Sequence, residues 1–179
     1  MCSNPDEDYL IGFILGDGMV KHYRSGYEIK ISEKNQRHAR YLASLIKKLY
    51  GIEPVLVKDK CRNTWRIRVY SKRLYYLLKA RIQEVLSNAN EHLVGGLFDA
   101  EGDFTESKRR LRFVNKSWVL IRLVGRFLER HGIRYCVYLR KKGCKSWFSL
   151  EIYGSNVVKS VGKLDLRHPK WNKLYSHLI

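Results

Sequence analysis

The sequence lacks what several functional classes require. No apolar run approaches the roughly 18 residues a membrane-spanning helix needs. The acidic start, NPDED, has neither the apolar core of a signal peptide nor the basic character of a transit peptide. An intracellular setting, cytoplasm or nucleoid, is expected. The four cysteines, Cys2, Cys61, Cys136 and Cys144, form no CxxC pair and no zinc-ligand spacing. Cys61 and Cys144 fall near matching places in the two halves, which establishes no bond. The six histidines form no nucleophilic cluster and are expected at the surface or against phosphates. Acidic residues are scarce as well, 17 against 35 Lys and Arg, for a formal charge of +18.

The excess is not confined to a tail. Up to position 86 there are 17 basic and 9 acidic residues, and beyond it 18 and 8. A polyanionic partner follows, nucleic acid first among them. With 45% apolar and 12% aromatic residues, the 179-residue chain has enough apolar side chains for a packed core.

The chain reads as one unit written twice. At an offset of 84, Asn4, Glu7, Gly12 and Gly18 match Asn88, Glu91, Gly96 and Gly102; Ser3 matches Ser87. Gly16 matches Ala100, and Asp17 matches Glu101. IKISEKN (29–35) resembles LRFVNKS (111–117), and Trp65 and Trp147 are read as a matching pair of core or hairpin anchors. The repeats are expected to span 1–86 and 87–179. Asn4-x-x-Glu7 and Asn88-x-x-Glu91 are capping-box signals, with Pro5 at the favoured first helical position. Gly18 and Gly102 are expected as left-handed C′ residues. Strands near 19–23 and 27–32, an amphipathic helix over 36–50, strands near 54–58 and 64–70, and a helix over 72–86 complete the unit. The expected class is α+β, two αββαββα repeats with antiparallel sheets.

Glycine inside a helix costs about 1 kcal/mol relative to alanine. Gly12 and Gly16 lie four apart on one face, and Gly96 and Ala100 repeat the pattern. Such notches let two backbones approach closely, so helix 4–17 is expected to pack on helix 88–101 about a pseudo-twofold axis. Asp17 and Glu101 then emerge together at two helix C-termini, where the macrodipole disfavours an uncompensated carboxylate. Two acids and last-turn carbonyls make a hard oxygen site suited to Mg²⁺. Asp99 has Leu15 as its counterpart, breaks the symmetry, and is expected to give packing or polar support.

The segments LIGFILGDG (10–18) and VGGLFDAEG (94–102) resemble the paired motifs of the LAGLIDADG homing endonucleases in their single-chain form, as in archaeal intron-encoded members. The resemblance implies a monomer imitating a dimer, with saddle-shaped sheets on double-stranded DNA. It implies Asp17 and Glu101 as ligands of catalytic Mg²⁺, with Mn²⁺ or Ca²⁺ as alternative occupants, and the carbonyls of Gly16 and Ala100 as further ligands. Lys34 and Lys116, at the ends of the second strands, are the implied pocket cations. Glu33 and Asn115 stand where the family often places glutamine.

Strand alternation gives each sheet one apolar and one basic face. Lys30, Arg66, Arg68, Arg110, Arg112, Tyr138 and Arg140 alternate with apolar neighbours, among them Val137 and Leu139. Lys21, Tyr23 and Ser25 join them by the family's pattern. A β-ribbon fits the major groove, where Arg reads guanine bidentately. Turn residues such as Lys142 and Lys145 are expected on phosphates. Arg66 faces Ser149, and Arg68 faces Glu151, as counterparts, so the two half-sites should differ. The expected activity is metal-dependent hydrolysis of one phosphodiester per strand at a long pseudo-palindromic site, with short 3′ overhangs implied by the resemblance. An intron-splicing maturase, or a DNA-binding regulator on the same scaffold, is the alternative.

Overall fold

The computed structural model describes residues 4–177; Cys2 and Ser3 lie outside them. The first repeat runs α1 (Pro5–Asp17), β1 (Gly18–Tyr23), β2 (Gly26–Glu33), α2 (Gln36–Tyr50), β3 (Val55–Asp59), β4 (Thr64–Val69) and α3 (Lys72–Val85). The second runs α4 (Glu91–Glu101), β5 (Gly102–Thr105), β6 (Arg110–Asn115), α5 (Trp118–Arg130), β7 (Cys136–Lys142), β8 (Lys145–Tyr153) and α6 (Ser155–Val161). Each repeat forms one four-stranded antiparallel sheet, ordered β1-β2-β4-β3 and β5-β6-β8-β7. The class is α+β with two repeats, and no described helix is long and apolar enough to cross a membrane.

Period-two alternation decides the layers. Ile29, Ile31, Ile67 and Val69 enter the core of one sheet, and Leu111, Phe113, Leu150 and Ile152 that of the other. Helices cover these apolar faces; Leu42, Leu45 and Ile46 of α2 and Leu120, Val124 and Phe127 of α5 are buried there. The opposite faces stay open. Val137 and Leu139, on the apolar side of the alternation, are instead exposed, on the edge strand of the sheet. The β7–β8 hairpin also extends further than expected, so that Lys142 and Lys145, expected in a turn, are paired strand residues, as is Lys141.

Two local readings are corrected. The cap of α4 is Asn90, whose Oδ1 accepts the Leu93 N–H at 2.9 Å. Asn88 is engaged by Arg130 of α5 and lies in the preceding turn. Gly18 and Gly102 are extended, with φ of −103° and −87°, not left-handed. Glycine is required there for space: a Cβ on Gly18 would lie 2.5 Å from the Ile14 carbonyl oxygen, and one on Gly102 2.5 Å from that of Phe98.

After α6 the chain does not fray. Residues 165–171 return across the junction of the repeats and lead into α7 (Asn172–Ser176). Arg167 donates to Asp6 and Tyr41 of the first repeat, at 2.7 and 2.6 Å. Asp8, buried in the first turn of α1, accepts from Asn90 at 2.6 Å and from Arg81 at 3.1 Å. Asp6 and Asp8 thus hold the two repeats together at the favourable end of a helix dipole.

Candidate active site between two basic sheets

The centre of the molecule is the α1–α4 pair. A Cβ on Gly12 would fall 2.1 Å from the Leu93 carbonyl oxygen, and one on Gly96 2.1 Å from that of Tyr9. Only bare backbone fits at either crossing. Further along, a Cβ on Gly16 would meet the Ala100 Cβ at 2.4 Å and Glu101 Cγ at 3.1 Å. Contacts therefore advance in the same direction along both helices. The helices are parallel, and their acidic ends arrive side by side.

Each acid sits in its own pocket, and each pocket mixes the repeats. A cavity of about 600 Å³ beside Glu101 is lined by Gly16 of the other helix and by Asn115, Lys116 and Trp147. A second, of about 390 Å³ beside Asp17, is lined by Ala100, Ser32, Glu33, Lys34 and Lys170. The pairing of an acid with the small residue of the opposite helix is reciprocal, as a pseudo-dyad demands. Lys34 and Lys116 are exposed at the two rims.

The electrostatics are those of a site short of positive charge. Although the Asp17 side chain stays open to solvent, desolvation by the surrounding protein pushes its carboxyl up to about 6; the charge on Glu33 adds to this, while Lys170 and Lys34 oppose it. Burial pushes Glu101 up to about 7, and the Asp17 charge raises it further. Asp17 makes no hydrogen bond or ion pair with any described residue, and Glu101 only accepts at 3.4 Å from the Asn115 amide. Two under-satisfied carboxylates beside helix-end carbonyls match the donor set of a hard divalent cation.

Glu33 and Asn115 share one local task and differ in another. Each accepts the backbone N–H two residues on, at 2.8 Å, closing the turn into α2 or α5. The free end of Asn115 then donates toward Glu101, whereas Glu33 turns to His38 (2.8 Å) and His168 (3.4 Å). Burial would raise the Glu33 carboxyl, but the hydrogen bonds from His168, His38 and the Asn35 N–H hold it well below the usual carboxylate range. Ligand atoms of Glu33, His38 and His168 lie within 4.8 Å of one another. His168 Nδ1 accepts the Lys170 N–H at 2.8 Å, which puts the ring proton on Nε2, toward Glu33. The Tyr9 hydroxyl donates to Asp99 at 2.5 Å, so His38 Nε2, 2.9 Å away, donates to Tyr9. Each ring nitrogen has a protein partner, so the trio is knitted into a buried polar network. His38 and His168, expected at the surface, are in fact interior residues, 1% and 10% exposed.

Asp99 gives the polar support expected of it. Buried, it accepts from Tyr9, from the Arg167 and His168 N–H groups at 2.8 and 2.9 Å, and from the Trp171 indole. It thereby fastens the tail, and the tail delivers a residue that sequence reasoning missed. Lys170 Nζ donates to the carbonyls of Asp99 (2.6 Å) and Gly102 (2.8 Å). It caps the C-terminal end of α4, whose last turn has no basic residue of its own. Asp99 itself was the signal: a lone acid breaking the repeat needed a partner from outside it.

On the open face of the first sheet, the register brings Lys21, Lys30, Arg66 and Arg68 to one side, with Tyr23 at the hairpin end and Ser25 exposed in its turn. On the second, Arg110, Arg112, Tyr138, Arg140 and Lys142 share the corresponding side. Ser149 lies there too but is 1% exposed and donates to Glu151 at 2.7 Å, so it supports the face from beneath and is not free for contact. Register also pairs Glu33 with Trp65 and Asn115 with Phe148. The counterpart of Trp65 is therefore Phe148, and not Trp147, which lines the Glu101 pocket.

Two open, arginine-studded sheets flanking a carboxylate pair define a duplicated α+β protein built for a two-sided, polyanionic partner. The LAGLIDADG-like domain model matches residues 4–83 and again 90–164, and the chain belongs to that family. It is 34% identical to the homing endonuclease I-DmoI of Desulfurococcus mucosus over 145 residues, 73% of each chain. It is 31% identical to the uncharacterized protein MJ0314 of Methanocaldococcus jannaschii over 157 residues, 77% of this chain and 59% of that one. The crystal structure of I-DmoI in complex with DNA and Ca superposes with a TM-score of 0.76 at 26% identity, covering 97% of this chain and 98% of that one.

Proposed function

We propose that the protein is a site-specific homing endonuclease that cuts both strands of a long, imperfectly palindromic duplex, acting as an intracellular monomer with Mg²⁺. The carrying observation is the pair of acids that the parallel helices bring to one centre between two basic faces. The kinship with I-DmoI, which has been crystallised with DNA and Mn and with DNA and Ca, supports the reading. Each repeat, 1–86 and 87–179, supplies one DNA-reading sheet and one acid.

Asp17 and Glu101 hold the cation, with the Gly16 and Ala100 carbonyls within reach of the same ends. When bound, the divalent ion supplies charge stabilisation at the phosphate and lowers the pKa of water. Lys34 and Lys116 steady the scissile phosphates at the two rims. Lys170 keeps the α4 terminus from repelling the polyanion. The close approach of the acids forces the two cuts close together across the minor groove. Strand-face residues set the register on the duplex, and the lysines at the end of the β7–β8 hairpin meet phosphates.

The test is cleavage of a randomised duplex library with Mg²⁺, followed by sequencing of the cut ends. Wild type is expected to yield one family of sites, with Asp17→Asn and Glu101→Gln yielding none while still binding them. A protein that binds duplex but never cuts it returns the question to splicing or regulation.

A further inference from the structure

On the open face of the second sheet, where a solvated or DNA-facing side chain would be expected, β8 carries a completely buried acid. Glu151 is 0% exposed. It accepts from Arg110 at 3.2 Å, Arg140 at 3.1 Å, Ser149 at 2.7 Å and the Tyr153 hydroxyl. With two donors on each oxygen it has nothing left to offer a base, so it is not itself a reader. Its first-repeat counterpart is Arg68: the pairs Lys30–Arg68 and Arg112–Glu151 occupy the same place in the two sheets.

We propose that Glu151 is a specificity-determining positioning residue, a buried carboxylate that fixes Arg140 as the base-reading guanidinium of one half-site, with Arg110 as its buried counter-charge. Arg110 is 14% exposed and spends its other end on Thr105 at 3.2 Å; Arg140 is 47% exposed and lies over the Tyr138 ring at 4.7 Å. Arg140 alone of the two reaches outward, held by an ion pair on one side and a ring on the other. A guanidinium fork held in one orientation is what bidentate reading of guanine O6 and N7 requires. The same division runs across both sheets. Arg66 pairs with Asp59, Arg68 with Glu28 and Arg112 with Asp103, whereas Lys141, Lys142 and Lys145 of the hairpin have no ion pair among the described residues. Arginines paired with strand acids add little net charge toward phosphate, and unpaired lysines supply the salt-dependent attraction.

The proposal rests on the DNA-cleaving reading, and its test separates the two. Duplexes are selected by gel shift from a randomised library in EDTA, for wild type, Glu151→Gln and Arg140→Gln. Both variants are expected to lose about tenfold discrimination at the same base pair in one half-site, the size of one bidentate contact. The other half-site keeps its preferences, and Glu151→Gln does not reduce the salt dependence of binding to an unselected duplex. Glu151→Gln selecting the wild-type site with full discrimination in both halves overturns the proposal. If that variant does not fold, Arg140→Gln decides alone, and unchanged selection by it has the same consequence. A wild type that enriches no sequence overturns site-specific recognition, and the proposal with it.

Discussion

Adding a single methyl group at Gly96 tests how the two helices are held. In an isolated helix Gly→Ala is stabilising by about 1 kcal/mol. Here the new Cβ would lie 2.1 Å from the Tyr9 carbonyl oxygen and 2.9 Å from the Phe13 nitrogen. Ordinary contact is about 3.5 Å, so the helices must part by roughly 1 Å. Both obstacles are backbone, and no rotamer change relieves them. Overpacking of this kind costs about 1–3 kcal/mol, and a backbone-on-backbone clash belongs at the upper end. After the propensity gain, a net loss of about 2 kcal/mol is expected, or about 4–8 °C in Tm for a chain of this size. Urea and thermal denaturation measure it. Gly162→Ala is the reference, since its helical φ is −67° and its nearest neighbours are 3.7 Å away. The clash also spreads the two acids, so cleavage should fall about 100-fold beyond the change in stability. A Gly96→Ala protein as stable as wild type would refute close backbone packing at this crossing.

Other expectations follow from the same geometry. The carboxyls of Asp17 and Glu101 are raised to about 6 and about 7, above the ordinary 3.8 and 4.5. Protons therefore compete with the divalent ion, and cleavage in limiting Mg²⁺ should climb between about pH 5.5 and 7.5. A raised carboxyl contributes stability below its unfolded value and loses it as pH rises through the folded one. The metal-free Asp17→Asn, Glu101→Gln double variant should accordingly melt above wild type at pH 8, with the gap closing by pH 4. Asp99→Asn turns an acceptor of four donors into a group that presents its own N–H to them. A loss of about 2–3 kcal/mol is expected, with faster proteolysis after residue 165 as the specific sign. Lys170→Met uncaps α4 and is expected to reduce cleavage more than duplex binding, measured by comparing the two on one selected site.

Much of this was legible in the sequence because it is local or repeated. The helix over 36–50 has a full apolar stripe and matches α2 residue for residue. The glycine notches recur in register, which is what made a helix–helix contact readable from spacing alone. The basic strand faces follow from alternation. What escaped notice is long-range and asymmetric. Arg167 meets Asp6 across 161 positions, and Trp171 meets Asp99 across 72. No period marks such contacts, and the tail that makes them has no copy in the first repeat. Glu33 lines the Asp17 pocket and adds its charge there, but nothing in the spacing announces that His38 and His168 close over it. The displaced cap at Asn90 and the extended Gly18 show the usual limit of motif reading. Residue type signals an end, while neighbouring contacts decide which residue serves and in what conformation.

The central claim is that two parallel helices deliver Asp17 and Glu101 to a shared divalent-cation centre over the duplex. Anomalous scattering from crystals of the protein with its selected duplex and Mn²⁺ tests this most directly. The account predicts peaks within bonding distance, about 2 Å, of the Asp17 and Glu101 carboxylates and adjacent helix-end carbonyls. Peaks confined to the Glu33, His38 and His168 trio, or a duplex bound away from both acids, would contradict it.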